Sequence, residues 1–258
     1  MIQKVFYFPQ TFPIFQEAHD FFVNTKKQTA TQHLFTNKQL RTLLVPIMVE
    51  QLLSSLMGTA DTMMVSNVGS AAISAVSLVD AINILVIQAL SALAAGGAIL
   101  CSQYLGSQNL KKAKRSAEQV LFVMLVLSCS LSLLCLIFRF PLLRLIFGTV
   151  DTDVMANSQI YFFFTLLSFP FIGLYDAGAS ILRAQNNTKG PMTISILSNF
   201  LNIGGNAILI FVFGMGVAGA AISTLVSRIF CAIVVIWQLR NPAEQIYVRN
   251  YFSIRPDW

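Results

Sequence analysis

The chain has 258 residues, of which 55% are hydrophobic and only 11% are charged, and its mean hydropathy is +0.69. Soluble domains usually carry about 25% charged residues, so the composition excludes a water-soluble fold and indicates an integral membrane protein. The four cysteines lack the CxxC spacing of metal sites, and neither a disulfide framework nor a zinc site is predicted.

Residues 1–40 are polar in composition, and they lack the ordered regions of a signal peptide. We therefore predict an N-terminal tail, which the charge pattern described below places in the cytoplasm. Six apolar runs follow, each about 22 to 30 residues long and therefore long enough to span a bilayer as a helix. The runs are continuous rather than alternating, which argues against a transmembrane β-barrel. The predicted spans are Thr42–Ser66, Ala71–Leu100, Ala117–Phe138, Val154–Gly178, Pro191–Phe213 and Val217–Leu239. The predicted fold is thus an all-α bundle of six membrane helices over residues 41–240, with a cytoplasmic connector over 241–258.

The basic residues predict the orientation of this bundle. Most of the 17 lysines and arginines lie in the two tails and in the loops after the second and fourth spans. The loop after the second span contains Lys111, Lys112, Lys114 and Arg115. The opposite side carries Arg139 and Arg144. By the positive-inside rule both termini are cytoplasmic, which agrees with an even number of spans, and the expected location is the plasma (inner) membrane. The net charge of +6 therefore belongs to cytoplasmic loops and does not indicate a nucleic-acid partner.

The first span contains two ionisable residues, Glu50 and Asp61, whose spacing places them on one helix face about 16 Å apart. Ser54 and Met57 lie between them on this face, and Pro46, one turn before Glu50, is expected to kink the helix. Because ionisable groups inside lipid are costly, we interpret the face as the wall of a cavity with protonatable carboxylates. The alternative is that the carboxylates only fix helix packing, and it is stronger for Glu50 than for Asp61.

The fifth span carries Asn199, Asn202 and Asn206 on one polar face. Amide oxygens suit a hard cation such as Na⁺ when a carboxylate is near, although the same amides can simply hydrogen-bond across helices. The sixth span adds Thr224 and a run of small residues, which we interpret as helix packing. The small-residue run consists of Gly216, Gly219, Ala220 and Ser223. The candidates for lining a substrate cavity are Glu50, Met57 and Asn199.

Three more ionisable residues lie inside spans, Asp80 in the second, Asp176 in the fourth and Arg228 in the sixth. A structural ion pair between Arg228 and one of the aspartates is the favoured interpretation, and the sequence leaves open which aspartate it is.

The sequence contains no catalytic constellation, P-loop or dinucleotide motif, and both histidines lie in the N-terminal tail. We therefore do not predict an enzyme, a resident cofactor or direct ATP drive. A bundle with buried carboxylates is typical of a secondary transporter that uses an ion gradient.

Four stretches of the chain carry a family resemblance when they are taken in order. They are Pro46-Ile-Met-Val-Glu-Gln through Ala60-Asp-Thr-Met-Met-Val-Ser66, Gly96-Gly97 to Ser102-Gln-Tyr-Leu-Gly106, Ile181-Leu-Arg-Ala-Gln-Asn-Asn-Thr-Lys-Gly-Pro-Met192 and Asn202-Ile-Gly-Gly-Asn-Ala-Ile-Leu-Ile210. Residues 38–258 resemble the N-terminal half of the multidrug and toxic compound extrusion (MATE) family. The resemblance implies export of a small amphipathic, often cationic, substrate in exchange for H⁺ or Na⁺.

The resemblance also implies roles for single residues. Asp61 matches the family's first-span aspartate, which takes up the coupling ion, and Pro46 matches a proline at which this helix bends in some members. Further candidates for a cation site are Asn202, Thr224 and, through its carbonyl, Ala220. Asn206 stands where several members carry a second aspartate, so the choice between H⁺ and Na⁺ stays open.

The family is built from two six-helix lobes, and this chain resembles one of them. We expect the connector at 241–258 to be truncated, with a missing second lobe or a homodimer partner completing the transport path across the lipid bilayer. The alternative is a non-transporting membrane fragment, or a half-size lobe that only scaffolds a partner.

Overall fold

The computed structural model describes residues 37–148, 150–242 and 244–248. The helices are α1 (Asn37–Ser66), α2 (Ser70–Gly106), α3 (Leu110–Ile137), α4 (Arg139–Phe147), α5 (Thr152–Ala184), α6 (Lys189–Asn206) and α7 (Gly216–Leu239), with a π-helical turn at Ala207–Val212. The chain divides into two compact units, residues 1–42 and 43–258. Of the first unit the structure describes residues 37–42, which begin α1.

Six helices in the described part of the chain are long and apolar enough to cross a membrane. They coincide with the six predicted spans, so the prediction of an all-α membrane bundle is confirmed. Four helices extend well beyond their predicted bounds: α1 begins at Asn37 and α3 at Leu110, whereas α2 continues to Gly106 and α5 to Ala184. Hydropathy marks only the lipid-facing part of a helix, whereas backbone hydrogen bonds continue the helix into the polar interface.

Two segments predicted as connections between spans are helical instead. Residues 111–115 lie at the start of α3, where the Asn109 side chain accepts a hydrogen bond from the Lys112 N–H at 3.2 Å and caps the helix. Arg139 and Arg144 lie in α4, a short helix between the third and fourth spans. The basic residues of the α2–α3 connection therefore project from an ordered helix end.

The predicted span Pro191–Phe213 is not α-helical throughout. α6 ends at Asn206, and the turn that follows is π-helical, with the Phe213 N–H donating to the Ile208 carbonyl at 3.1 Å. π-Helical turns often lie at functional sites, and this one begins directly after a predicted cation-site residue.

Among the six spans, α5 and α7 are the most buried and α1 is the least. α5 packs against α2, α3 and α7, and its side chains Phe162 and Phe169 are fully buried. Half of the most apolar segment of α5 is buried, against 11% for α1. α1 therefore contacts the bundle through a narrow buried stripe, which contains Pro46, Glu50, Asp61 and Val65.

Glycines let the helices cross closely. A Cβ at Gly97 of α2 would lie 2.6 Å from a methyl of Val120 on α3, and a Cβ at Gly205 of α6 would overlap the Ser223 side chain on α7. Gly219 lies directly against the backbone of the π-helical turn. These contacts agree with the interpretation of the small residues of the sixth span as packing.

Residues 244–248 pack against one end of the bundle. Asn187 Nδ2 donates to Glu244 Oε1 at 2.6 Å, and the Ile246 N–H donates to Gln185 Oε1 at 2.8 Å. Ile246 and Val248 are fully buried in an apolar cluster with α2, α3, α5, α6 and α7. The described part of the predicted connector thus belongs to the core of the lobe. The rest of the connector and the predicted tail over residues 1–36 lie outside the described residues.

Candidate functional site

Asp61 of α1 lies against the facing polar residues of α6 and α7. One of its carboxylate oxygens accepts a hydrogen bond from Asn206 Nδ2, and the other faces Thr224 Oγ1 at 3.4 Å. Asn202 Nδ2 donates to Thr224 Oγ1 at 3.2 Å, and the Thr224 hydroxyl donates to the Ala220 carbonyl at 2.9 Å. The structure therefore brings together the residues that the family resemblance assigns to a cation site.

The Asp61 cluster contains a buried acceptor without a donor. Asn206 is fully buried, and within the described residues its Oδ1 has no hydrogen-bond partner. A buried acceptor left unpaired costs free energy. In addition, the Thr224 hydroxyl has one proton, and its shorter contact is with the Ala220 carbonyl, so the second oxygen of Asp61 is weakly bonded. Both a carboxylate oxygen and an amide oxygen are thus available to a small cation.

The crossing of α6 and α7 shapes this cluster. Asn202 and Asn206 are one turn apart and project from the same face of α6. Ser223 Oγ donates to the Asn202 carbonyl at 2.8 Å across the contact that Gly205 opens. Close packing of small residues therefore positions the amides opposite α1.

Glu50 belongs to a separate cluster with α5. Its Oε1 accepts hydrogen bonds from Arg183 Nη2 at 2.7 Å and from the Tyr175 hydroxyl at 2.8 Å. The two carboxylates of α1 share the buried stripe of that helix, but they contact different neighbouring helices.

The remaining predicted residues lie outside these two clusters. The Asn199 amide donates to the Ser195 carbonyl within α6 at 2.8 Å. Met57 is half-buried on α1 between the positions of Glu50 and Asp61. Pro46 is buried inside α1, which continues through it as one helix from Asn37 to Ser66.

Asp80 and Arg228 face the same polar interior without pairing. Asp80 Oδ1 accepts hydrogen bonds from Asn83 Nδ2 and the Tyr161 hydroxyl, both at 3.2 Å, while Arg228 Nη1 donates to Ser168 Oγ at 2.5 Å. The favoured ion pair is not formed, since in the described part of the chain no salt bridge within 4 Å joins Arg228 to Asp80 or Asp176. Neutral donors and acceptors hold the two charged groups apart.

Sequence reasoning missed Tyr161, Tyr175 and Ser168 as partners, and it did not pair Glu50 with Arg183. The tyrosines reach carboxylates that are 81 and 125 residues away in the chain. Within a membrane span, no sequence signal separates such a residue from a lipid-facing aromatic one.

The sequence profile of the MatE family matches residues 46–208. The chain belongs to the MATE family. The protein named uncharacterized transporter YisQ, from Bacillus subtilis, is 33% identical over 196 residues, which are 74% of this chain and 42% of that protein. The probable multidrug resistance protein NorM of Thermotoga maritima is 27% identical over 233 residues, which are 86% of this chain and 48% of that protein.

Solved MATE-type structures share the fold. A MOP superfamily transporter from Pyrococcus furiosus superposes with a TM-score of 0.77 at 25% identity, over 85% of this chain and 48% of that one. The predicted resemblance to one lobe of a MATE protein is confirmed, and these relatives are named as transporters or resistance proteins rather than enzymes. The chain spans about half the length of the relatives that it matches.

Proposed function

We propose that this chain is one lobe of a secondary active exporter, in which Asp61 takes up H⁺ or Na⁺ in exchange for a small amphipathic, cationic substrate. The observation that carries the proposal is the Asp61 cluster. Asp61 is 5% exposed, is held by α6 and α7, and lies beside the unpaired oxygen of Asn206. Membership of the MATE family supports a transport role, and the name of one relative includes multidrug resistance.

Loading with a cation would change what holds α1 to the bundle. Na⁺ takes oxygen ligands, which here are the Asp61 carboxylate, the amide oxygens of Asn202 and Asn206, the Thr224 hydroxyl and the Ala220 carbonyl. A proton on Asp61 would instead remove an acceptor, and rotation of the Asn206 amide would let its free oxygen accept that proton's hydrogen bond. Either event replaces the hydrogen bonds that now join α1 to α6 and α7.

The least buried helix is the one that would respond. α1 contacts the bundle through its narrow buried stripe, and Pro46 removes one backbone hydrogen bond from its first half. Bending at Pro46 therefore costs less than bending elsewhere in the helix. We propose that loading of Asp61 reshapes α1 around this point.

A second lobe would complete the transport path. MATE relatives are about twice as long as the match to this chain, so the partner is the remainder of a longer protein or a second copy of this one. Part of the apolar surface of α1 would face that partner or lipid. Its exposed side chains include Met48, Leu52, Leu56 and Met63.

We propose a plasma-membrane location with both termini in the cytoplasm. The contacts of residues 244–248 support this orientation, because they place the C-terminal segment beside the α5–α6 turn and the basic start of α3. The basic α2–α3 and α5–α6 connections, which the positive-inside rule assigns to the cytoplasm, thus lie at one end of the bundle.

The test is ion-driven exchange in proteoliposomes that contain a two-lobed assembly, either the purified chain as a dimer or the chain joined to a second lobe. With a pH or Na⁺ gradient imposed, the native sequence is expected to move ethidium, a cationic dye. The rate of movement should fall at least about tenfold in Asp61→Asn, because a neutral amide has no negative charge with which to bind H⁺ or Na⁺. Asp153→Asn, an exposed position at the start of α5, is the matched control and should retain exchange. Undiminished gradient-driven exchange in Asp61→Asn would refute the proposal. No exchange by either two-lobed assembly would favour the scaffold function.

A further inference from the structure

Arg228 of α7 is close enough to influence two aspartates, Asp61 and the partly buried Asp80. It is one turn from Thr224 on the same face of α7, and Thr224 contacts Asp61. Its guanidinium is held by Ser168 of α5 at 2.5 Å. From this position it interacts electrostatically with both aspartates, although neither carboxylate lies within 4 Å.

Asp80 is held in place by α5 as well. The Tyr161 hydroxyl donates to Asp80, and Tyr161 lies two turns before Ser168 on the same face of α5. One face of α5 therefore positions Asp80 through a donor and Arg228 through an acceptor. This arrangement keeps the two charges close but unpaired, so that the field of Arg228 also reaches Asp61.

We propose that Arg228 is a built-in counter-charge for the Asp61 site, a positioning residue that sets the charge of the site to that of one monovalent anion. The inference rests on the proposed role of Asp61. Two carboxylates and one guanidinium leave one negative charge, which a single H⁺ or Na⁺ neutralises. Without Arg228 the site would require two such ions or a divalent one. Arg228 thus sets how many monovalent charges the Asp61 site takes up.

Other ionisable groups that face Arg228 do not alter this charge balance. Tyr161 and Cys231 interact with Arg228, but a phenol and a thiol are both uncharged near pH 7. Asp176 also interacts with Arg228, but more strongly with Arg183, which lies in the Glu50 cluster. The charge of Asp176 is therefore counted with the Glu50 cluster rather than with the Asp61 site.

The test measures cation binding to the purified chain in lipid nanodiscs, with ²²Na⁺ as one probe and proton uptake, followed by the infrared carboxyl band, as the other. Arg228→Gln should lower the cation concentration at half-saturation about tenfold, because the site then carries two negative charges. Asp80→Asn should raise it about tenfold for the opposite reason. The double variant Asp80→Asn/Arg228→Gln restores one negative charge and should return within about threefold of the native chain.

Arg228→Lys distinguishes the effect of the positive charge from that of the guanidinium geometry. It keeps the charge and changes the geometry of the hydrogen bond to Ser168. It should bind within about threefold of the native chain, and thermal unfolding of every variant confirms that each is folded. Failure of the double variant to restore binding, or weaker binding in Arg228→Gln, would overturn the inference. Binding that Asp61→Asn leaves intact would overturn the proposed role of Asp61 and this inference with it. Binding lost in Asp61→Asn but unchanged in the Arg228 and Asp80 variants would overturn the inference alone.

Discussion

Each of three carboxylates within the spans of this lobe is held by donors from a different set of helices. Glu50 is held by α5, Asp61 by α6 and α7, and Asp80 by its own helix and α5. An ionised carboxylate in a membrane interior is costly unless donors surround it. The placement of these donors therefore decides which helix each carboxylate joins to the bundle.

Glu50→Gln tests the hold of α5 on the first half of α1. A neutral amide oxygen is a weaker acceptor than a carboxylate for Arg183 and Tyr175, so we expect a loss of about 1–2 kcal/mol in the local opening free energy. In hydrogen–deuterium exchange, the amides of residues 47–54 should exchange faster, while residues 58–66 keep their protection.

Asp61→Asn should produce the reverse pattern, with faster exchange in residues 58–66. Thr59→Ala is the matched control, because the exposed Thr59 hydroxyl donates only to the Ser55 carbonyl within α1 at 3.0 Å. Equal acceleration along the whole of α1 in either carboxylate variant would contradict the independence of the two clusters.

At the scale of whole helices, apolar packing joins most helices of the lobe, whereas polar contacts join α1. α2, α3, α5 and α7 pack face to face around large buried side chains of α5. α1 adds little buried apolar surface and is joined through its two carboxylates. An ion that binds a carboxylate can replace its hydrogen bonds, whereas it leaves apolar packing unchanged. A helix joined mainly through carboxylates is therefore suited to respond to cation loading.

Two adjacent glycines of α2 provide a test of helix crossing. A Cβ at Gly97 would overlap both methyl groups of Val120, which is stiff at its β-carbon, whereas a Cβ at Gly96 would meet nothing within 4 Å. Gly97→Ala should lower the unfolding free energy by about 1–3 kcal/mol. Gly96→Ala should leave it unchanged or raise it by up to about 1 kcal/mol.

Thermal unfolding in detergent measures both glycine variants. Addition of Val120→Ala to Gly97→Ala should recover part of the loss, because it removes the methyl groups that clash. Equal stability of Gly96→Ala and Gly97→Ala would show that α2 and α3 separate without cost, contrary to the packing described above.

At the scale of the described lobe, residues 244–248 close the apolar core at one end. Lys114 Nζ lies 3.4 Å above the Tyr247 ring, a cation–π contact that links this segment to the basic start of α3. The Val248 N–H donates to the Leu239 carbonyl at 2.9 Å, at the end of α7. These two contacts fix residues 244–248 to the start of α3 and the end of α7.

Ile246→Ala tests whether this segment is part of the core. Ile246 is fully buried, so its truncation should cost about 2–4 kcal/mol of unfolding free energy, as in the interior of a domain. Ile233→Ala on α7 removes the same atoms from a side chain that is 62% exposed and should cost under about 0.5 kcal/mol. Similar unfolding temperatures for the two variants would argue that residues 244–248 are dispensable to the lobe.

Several features of the fold and site were predictable from local sequence. Spans follow from hydropathy because a membrane helix must satisfy its backbone within one segment. The grouping of Asp61 with Asn202, Asn206 and Thr224 followed from the family resemblance, whereas spacing alone indicated only that Asn202 and Asn206 share a face. The π-helical turn after Asn206 was not predictable, because its sequence is as apolar as an α-helical span.

By itself, the sequence determined an all-α membrane lobe of the MATE family and the short set of ionisable residues that lie within its helices. Only the tertiary structure decided how those residues are partnered. Glu50 meets Arg183 across 133 residues, Asp61 meets Asn206 across 145, and Arg228 is held by Ser168 instead of an aspartate. Hydropathy and helical periodicity act within one segment, whereas the partner of a buried charge depends on which helices cross and on the small residues that let them approach.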